Sequence, residues 1–183
     1  MAADKINGVC LAIDFGAGSG RVIAGSRCSG QEMELTELHR FVNRQVRLGD
    51  SLYWDFPALF SEMLEGIRCA AARGMHILSV AIDTWGVDFG LITLAGRLLS
   101  NPLCYRDSHT EGLPEAIWSD ADALRTHYAE SGIYPLSINT LYQLVALNRR
   151  EPAMMEAAGK LLFMPDLFAF FLTGLINKSP SPR

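Results

Sequence analysis

Apolar residues in the first half of the chain fall into short runs separated by glycine-rich or polar breaks, the signature of strands rather than long helices. Val9 to Ile13 is a continuous apolar run, which predicts a strand buried on both faces. The segment from Asp14 to Gly20 breaks it, and Arg21 to Ala24 resumes as a second strand. Gly25 to Gln31 reads as a turn, and Glu32 to Phe41 alternates well enough to be a third strand. The opening is therefore predicted to be an antiparallel meander. The period then changes. From Pro57 to Arg73, Leu59, Phe60, Met63, Leu64 and Ile67 recur at helical spacing, with proline in the tolerated first turn and Gly74 as the stop. Ile77 to Ile82 predicts another buried strand and Phe89 to Leu94 a further one.

Beyond that point the pattern is mostly helical: around Pro114 to Trp118, Asp120 to Glu130, Thr140 to Arg149 and Pro152 to Gly159. A short strand is expected at Leu161 to Met164 and a last helix at Asp166 to Thr173, stopped by Gly174. Strands first and helices later, with buried strands, indicate an α/β fold. Residues 177–183, Asn-Lys-Ser-Pro-Ser-Pro-Arg, read as a disordered tail on a body spanning 1–176.

Composition narrows the function. The chain has 183 residues, a net charge of −4 and only scattered basic residues, which argues against nucleic-acid binding. No apolar run approaches the roughly 18 residues that span a bilayer, and the polar N-terminus lacks a signal-peptide core. A cytoplasmic setting follows as the expectation. Cys10, Cys28, Cys69 and Cys104 lack zinc-knuckle spacing and are expected to be free thiols, mostly buried.

Three segments carry candidate chemistry. In Ile13-Asp14-Phe15-Gly16-Ala17-Gly18-Ser19-Gly20-Arg21, closely spaced glycines let backbone amides approach a phosphate. Ser19 adds a hydroxyl, Arg21 a charge, and Asp14 a carboxylate able to hold a hydrated magnesium ion. A P-loop is excluded because no Gly-Lys-Ser or Gly-Lys-Thr is present. A dinucleotide fingerprint fits poorly, since its third glycine comes one residue early and a strand follows. A plain hairpin with an Asx-type bond at Asp14 is the structural alternative. In Asp83-Thr84-Trp85-Gly86-Val87-Asp88-Phe89, polar residues follow a strand directly. Trp85 offers a flat face to a sugar ring, Gly86 permits close approach, and Asp83 and Asp88 can accept from hydroxyls. The same residues could instead form a hairpin with Trp85 in the core. Tyr105-Arg106-Asp107-Ser108-His109-Thr110 is dense in donors and acceptors: a polyol site, a loop locked by an Arg–Asp pair, or a helix cap.

Together these stretches, with His39-Arg40-Phe41, Tyr53-Trp54-Asp55, Asn139-Thr140-Leu141-Tyr142-Gln143-Leu144 and Met164-Pro165-Asp166, resemble the FGGY carbohydrate kinases. The Asp83 to Phe89 and Asn139 to Leu144 stretches resemble most closely the members acting on L-rhamnulose. The resemblance implies an actin-like (ribonuclease-H-like) ATPase fold, here as an incomplete N-terminal domain. It implies Mg-ATP-dependent phosphorylation of the 1-hydroxyl of L-rhamnulose. By position, Ala17, Gly18, Ser19, Gly20 and Arg21 match the ATP-phosphate loop, and Asp14 the acid near Mg2+, acting through water. Gly86 matches a sugar-contact position, with Trp85 beside it. The family's proton-abstracting aspartate lies downstream of the matched region, so no catalytic base is assigned and the chain alone is expected to be inactive. Incompleteness also predicts uncovered apolar surface around Phe168, Phe170 and Phe171. An NAD-dependent dehydrogenase, a non-catalytic sugar- or nucleotide-binding module and a kinase for a related ketose are the rival readings.

Overall fold

The computed structural model describes residues 8–27 and 32–175. Cys28, most of the turn expected at Gly25 to Gln31, and the tail at 177–183 lie outside them. The chain divides into two compact units. One comprises residues up to Arg44, Asp55–Trp85 and residues from Met164; the other comprises Gln45–Trp54 and Gly86–Phe163.

The first unit is built on β1 (Val9–Phe15), β2 (Ser19–Arg27), β3 (Met33–Val42), α1 (Phe56–Ala72), β6 (Ile77–Thr84) and α6 (Met164–Thr173). Its sheet has the order β3-β2-β1-β6. The first three strands form the expected antiparallel meander, and β6 joins β1 in parallel. The 17-residue α1 starts where its sequence says it should: Asp55 accepts the Ala58 amide at 3.2 Å, and proline occupies the first turn. Phe56, Leu59, Met63, Gly66 and Ala70 form its buried stripe. Gly66 has no alternative there, since a Cβ would lie 2.2 Å from Val22 Cγ2. The helix ends at Ala72, and Gly74 just beyond its cap turns the chain with a φ of 69°, which suits glycine.

Three expectations fail in this unit. β1 is buried on one face only: Leu11, Ile13 and Phe15 are inside, and Cys10 is exposed. β6 is not a buried strand but an open edge, with Leu78 44% and Val80 36% exposed. A short apolar run records that a strand is hydrophobic, not how many of its faces are covered. The apolar surface expected around Phe168 is covered too. Phe168 is fully buried, stacked on Phe15 at 4.2 Å between ring centroids and packed on Phe56 at 4.8 Å. Phe170 and Phe171 are half-buried. The aromatic run on α6 closes the core instead of exposing it.

The second unit contains β4 (Gln45–Leu48), β5 (Ser51–Trp54), β7 (Phe89–Ile92), α2 (Leu113–Ile117), α3 (Ala121–Ser131), α4 (Thr140–Arg150), α5 (Pro152–Ala157) and β8 (Lys160–Phe163). β4 and β5 form a hairpin that periodicity did not announce, turning at Gly49, where φ is 60°. β7 pairs antiparallel with β8. Phe89, Leu91 and Leu147 centre the core, flanked by Leu99, Leu103, Leu144 and Met154. The four helices lie where their apolar spacing predicts them, within a few residues at each end. Of the cysteines described, only Cys104 is buried; Cys69 is intermediate, and all three are free thiols.

Candidate functional site

β1 and β2 meet through Gly16, Ala17 and Gly18, with Asp14 opposite Arg21 and Phe15 opposite Gly20 in the ladder. The segment is therefore a β-hairpin. The strand that follows the glycines removes the dinucleotide-fingerprint reading, which requires a helix at that point. The turn is closed by the Gly16 amide donating to the Ser19 carbonyl at 2.8 Å. Asn43, just past the end of β3, ties it from the side: its amide donates to the Gly18 carbonyl at 3.1 Å and its Nδ2 to the Gly16 carbonyl at 2.9 Å. Asn43 is 3% exposed and was not picked out by sequence. A lone asparagine after a strand has no recognisable spacing to the loop it holds.

The glycines differ in what they do. A Cβ on Gly20 would lie 2.2 Å from the ring of Phe41, so Gly20 is a packing requirement. A Cβ on Gly18 would meet nothing within 4 Å, so the loop's outer side is open. Arg21 Nε donates to Asp14 Oδ2 at 2.9 Å, and its Nη2 lies 2.8 Å from the same oxygen; the two side chains are 44% and 42% exposed. Because β1 and β6 are parallel, their carboxyl ends coincide. Asp14 neighbours Asp83, and Phe15 neighbours Thr84. The hairpin, Asp14, Asp83 and the start of the Trp85 segment thus gather at one sheet end, the position where open α/β sheets receive ligands.

Trp85 is half-buried at the end of the first unit, and Gly86, exposed, begins the second. The Gly86 carbonyl accepts the Asp88 amide at 3.0 Å across Val87, whose φ is 70°. A β-branched residue rarely adopts that conformation, which costs about 1–3 kcal/mol. The second unit supplies the restraint. Thr140 Oγ1 donates to the Val87 carbonyl at 2.7 Å. Gln143 Nε2 donates to Asp88 Oδ1 at 2.9 Å. Asp88, 1% exposed, also accepts Trp54 Nε1 at 2.6 Å and the Tyr105 amide at 3.2 Å on Oδ2. Asp88 is thus the buried anchor of the turn behind Gly86, not an acceptor for ligand hydroxyls as its position in the motif suggested. Asp83 Oδ1 accepts the amide of Thr84 at 3.0 Å and stays exposed.

The third segment is a cap. Asp107 accepts the Leu52 amide at 2.6 Å, the His109 amide at 2.8 Å and His109 Nδ1 at 2.9 Å. Burial raises its pKa, but these donors and the neighbouring imidazole outweigh burial and hold the carboxyl below its usual range. The bond that locks the loop comes from His109 rather than Arg106, which lies over the Tyr105 ring at 5.4 Å. Magnesium fits this chain only in part. No group of three or more His, Cys, Asp or Glu that could hold a metal occurs among the described residues. A single half-exposed carboxylate suits an ion carried on nucleotide phosphates and met through water, not a protein cage.

No protein-family model matches the chain. Curated relatives do. It is 44% identical over 164 residues to a rhamnulokinase of Bacteroides thetaiotaomicron, covering 90% of this chain and 33% of the relative. It is 39% identical over 169 residues to a rhamnulokinase of Klebsiella pneumoniae, covering 92% of this chain and 34% of the relative. The chain thus spans about a third of the length of the curated relatives it matches. Among solved structures, xylulose kinase from Lactobacillus acidophilus superposes with a TM-score of 0.75 at 13% identity, over 92% of this chain and 34% of that one. Glycerol kinase of Plasmodium falciparum with ADP superposes with a TM-score of 0.68 at 16% identity, over 91% and 34%. At such identities these structures show the fold alone, an α/β arrangement shared with about a third of each of those chains.

Proposed function

We propose that this chain, homologous to the rhamnulokinases over nine tenths of its length, carries the phosphate-binding hairpin and part of the sugar site of a kinase. That kinase transfers the γ-phosphoryl group of ATP to the 1-hydroxyl of L-rhamnulose. The observation that carries the reading is the hairpin itself: a glycine turn open on its outer side, clamped by Asn43, with Arg21 and Asp14 beside it. Amides and hydroxyl of Ala17, Gly18 and Ser19 would cradle the phosphates, and Arg21 would add positive charge. Asp14 would orient the hydration shell of a magnesium ion arriving with the nucleotide. The ion would neutralise charge on the phosphates. Trp85 would give its ring face to the sugar, and Gly86 would let the sugar approach the backbone.

About two thirds of the relatives' length lies outside the match, so turnover is proposed for the whole-length kinase and binding for these 183 residues. A cytoplasmic setting goes with that role. The test is calorimetric titration of the chain with Mg-ADP and with L-rhamnulose. Arg21→Ala should weaken nucleotide binding by roughly tenfold, the worth of a charge-assisted bond, and leave sugar binding unchanged. A folded chain that binds neither ligand refutes the reading.

A further inference from the structure

Two bonds from one buried residue hold both sides of the glycine turn. Asn43 Nδ2 donates to the Gly16 carbonyl at 2.9 Å, and the Asn43 amide donates to the Gly18 carbonyl at 3.1 Å. The peptide bonds of the described residues are all trans, so each N–H points opposite to the carbonyl of its own peptide plane. Holding the two carbonyls therefore turns the N–H groups of Ala17 and Ser19 away from Asn43. The turn itself is open to solvent: Gly18 and Ser19 are exposed and Ala17 is half-buried, whereas Asn43 is 3% exposed.

The other half of the Asn43 amide is as informative. The Gly16 carbonyl can only accept, so the side chain must present Nδ2 to it, which fixes where Oδ1 stands. Oδ1 is buried and has no hydrogen-bond partner among the described residues. A buried acceptor left unpaired is destabilising, and an apolar side chain would avoid that cost. The one polar contact of this side chain goes to the turn, so its effect falls there. Gly16 and Gly18 are the residue type with the most backbone freedom to lose. Without the clamp, ordering the turn would oppose ligand binding; with it, the turn is ordered beforehand. We infer that Asn43 is a positioning residue for the nucleotide: too buried to meet a phosphate itself, it holds the turn in the conformation that phosphates meet. The inference rests on the phosphate-binding role proposed above for the hairpin.

The test compares the full chain with two variants. Asn43→Leu keeps the branching and removes the donor and the unpaired acceptor together; Asn43→Ala is the smaller replacement, in case leucine does not fit. In calorimetric titration, Mg-ADP should bind both variants roughly tenfold more weakly, the ordering of about one residue, with the loss carried by entropy. Affinity for L-rhamnulose and the amide spectrum outside the turn should be unchanged, which reports an intact fold. 15N relaxation should find lower order parameters at Ala17 and Gly18 in the free variants than in the free parent, recovering at saturating Mg-ADP. A residue that only stabilised the fold would weaken both ligands together and leave the free turn as ordered as its neighbours. That outcome overturns the inference, as does a variant that binds Mg-ADP as tightly as the parent does. A parent chain that binds no Mg-ADP overturns the phosphate-binding reading itself, and the inference with it.

Discussion

Asp88→Asn is the sharpest test of the anchor behind Gly86. The replacement keeps the shape and removes one acceptor. Asp88 Oδ2 receives both Trp54 Nε1 and the Tyr105 amide, while Oδ1 receives Gln143 Nε2. An asparagine oxygen in the Oδ2 position preserves the first two bonds and turns its own amide toward Gln143. Gln143 cannot resolve that clash by rotating its amide, because its Nε2 also donates to the Ile138 carbonyl at 2.9 Å. One charge-assisted bond is lost and one buried donor is left facing another, about 2–4 kcal/mol together. With a urea m-value near 2 kcal/mol/M, the unfolding midpoint should fall by about 1–2 M. The indole Nε1–H resonance of Trp54, now bonded to a neutral group, should move upfield. In a double-mutant cycle with Gln143→Met, the second change should cost less in the Asp88→Asn background than alone. Stability within about 0.5 kcal/mol of the parent, the spread of an ordinary surface change, would refute the argument. An unmoved Trp54 resonance would do the same.

Other outcomes follow from single contacts. Gly20→Ala forces a methyl into the ring of Phe41 and should destabilise the first unit by about 1–3 kcal/mol in urea titrations. Asp107 has a folded pKa below its unfolded value, so its stabilisation is full above about pH 4 and is lost as pH falls through the depressed pKa. Asp107→Asn should therefore flatten the acid limb of stability measured by circular dichroism between about pH 5 and pH 2. Burial pushes the Cys104 thiol up to about 11, and its side chain is fully buried. Peptide mapping after iodoacetamide at pH 8 should find exposed Cys10 alkylated and Cys104 untouched until the chain is unfolded.

What the sequence disclosed, and what it withheld, follows from the range of the interactions involved. Helix α1 was legible to within a residue because the proline, the helical spacing and the glycine stop are all local signals. The β1–β2–β3 meander was legible for the same reason, each turn lying beside the strands it joins. The β4–β5 hairpin was not. Its four-residue strands are too short to show a period, and β5 is fixed from a distance, through the Trp54 amide on the Pro102 carbonyl and the Cys104 amide on the Leu52 carbonyl. The open edge at β6 was invisible for a related reason: exposure belongs to neighbours, not to the strand.

The same distinction divides the candidate site. Glycine spacing exposed the β1–β2 hairpin, because a turn is encoded where it occurs. Asn43 binds the Gly16 carbonyl across 27 positions, and no local pattern marks a residue acting at that separation. Asp88 shows the converse. Its place in a polar motif suggested a ligand contact, yet Trp54 lies 34 positions away and Gln143 lies 55 positions away, and both claim its oxygens first. The residues around the candidate site thus split into exposed ones, Gly18, Arg21 and Gly86, and buried ones that hold the backbone beside them, Asn43 and Asp88. Val87 explains why the second group must exist. A valine at φ 70° persists only where its surroundings over-determine it. The bonds to Thr140 and Gln143 supply that restraint from the Asn139 to Leu144 stretch, and through them this stretch keeps the backbone at Gly86 in one conformation.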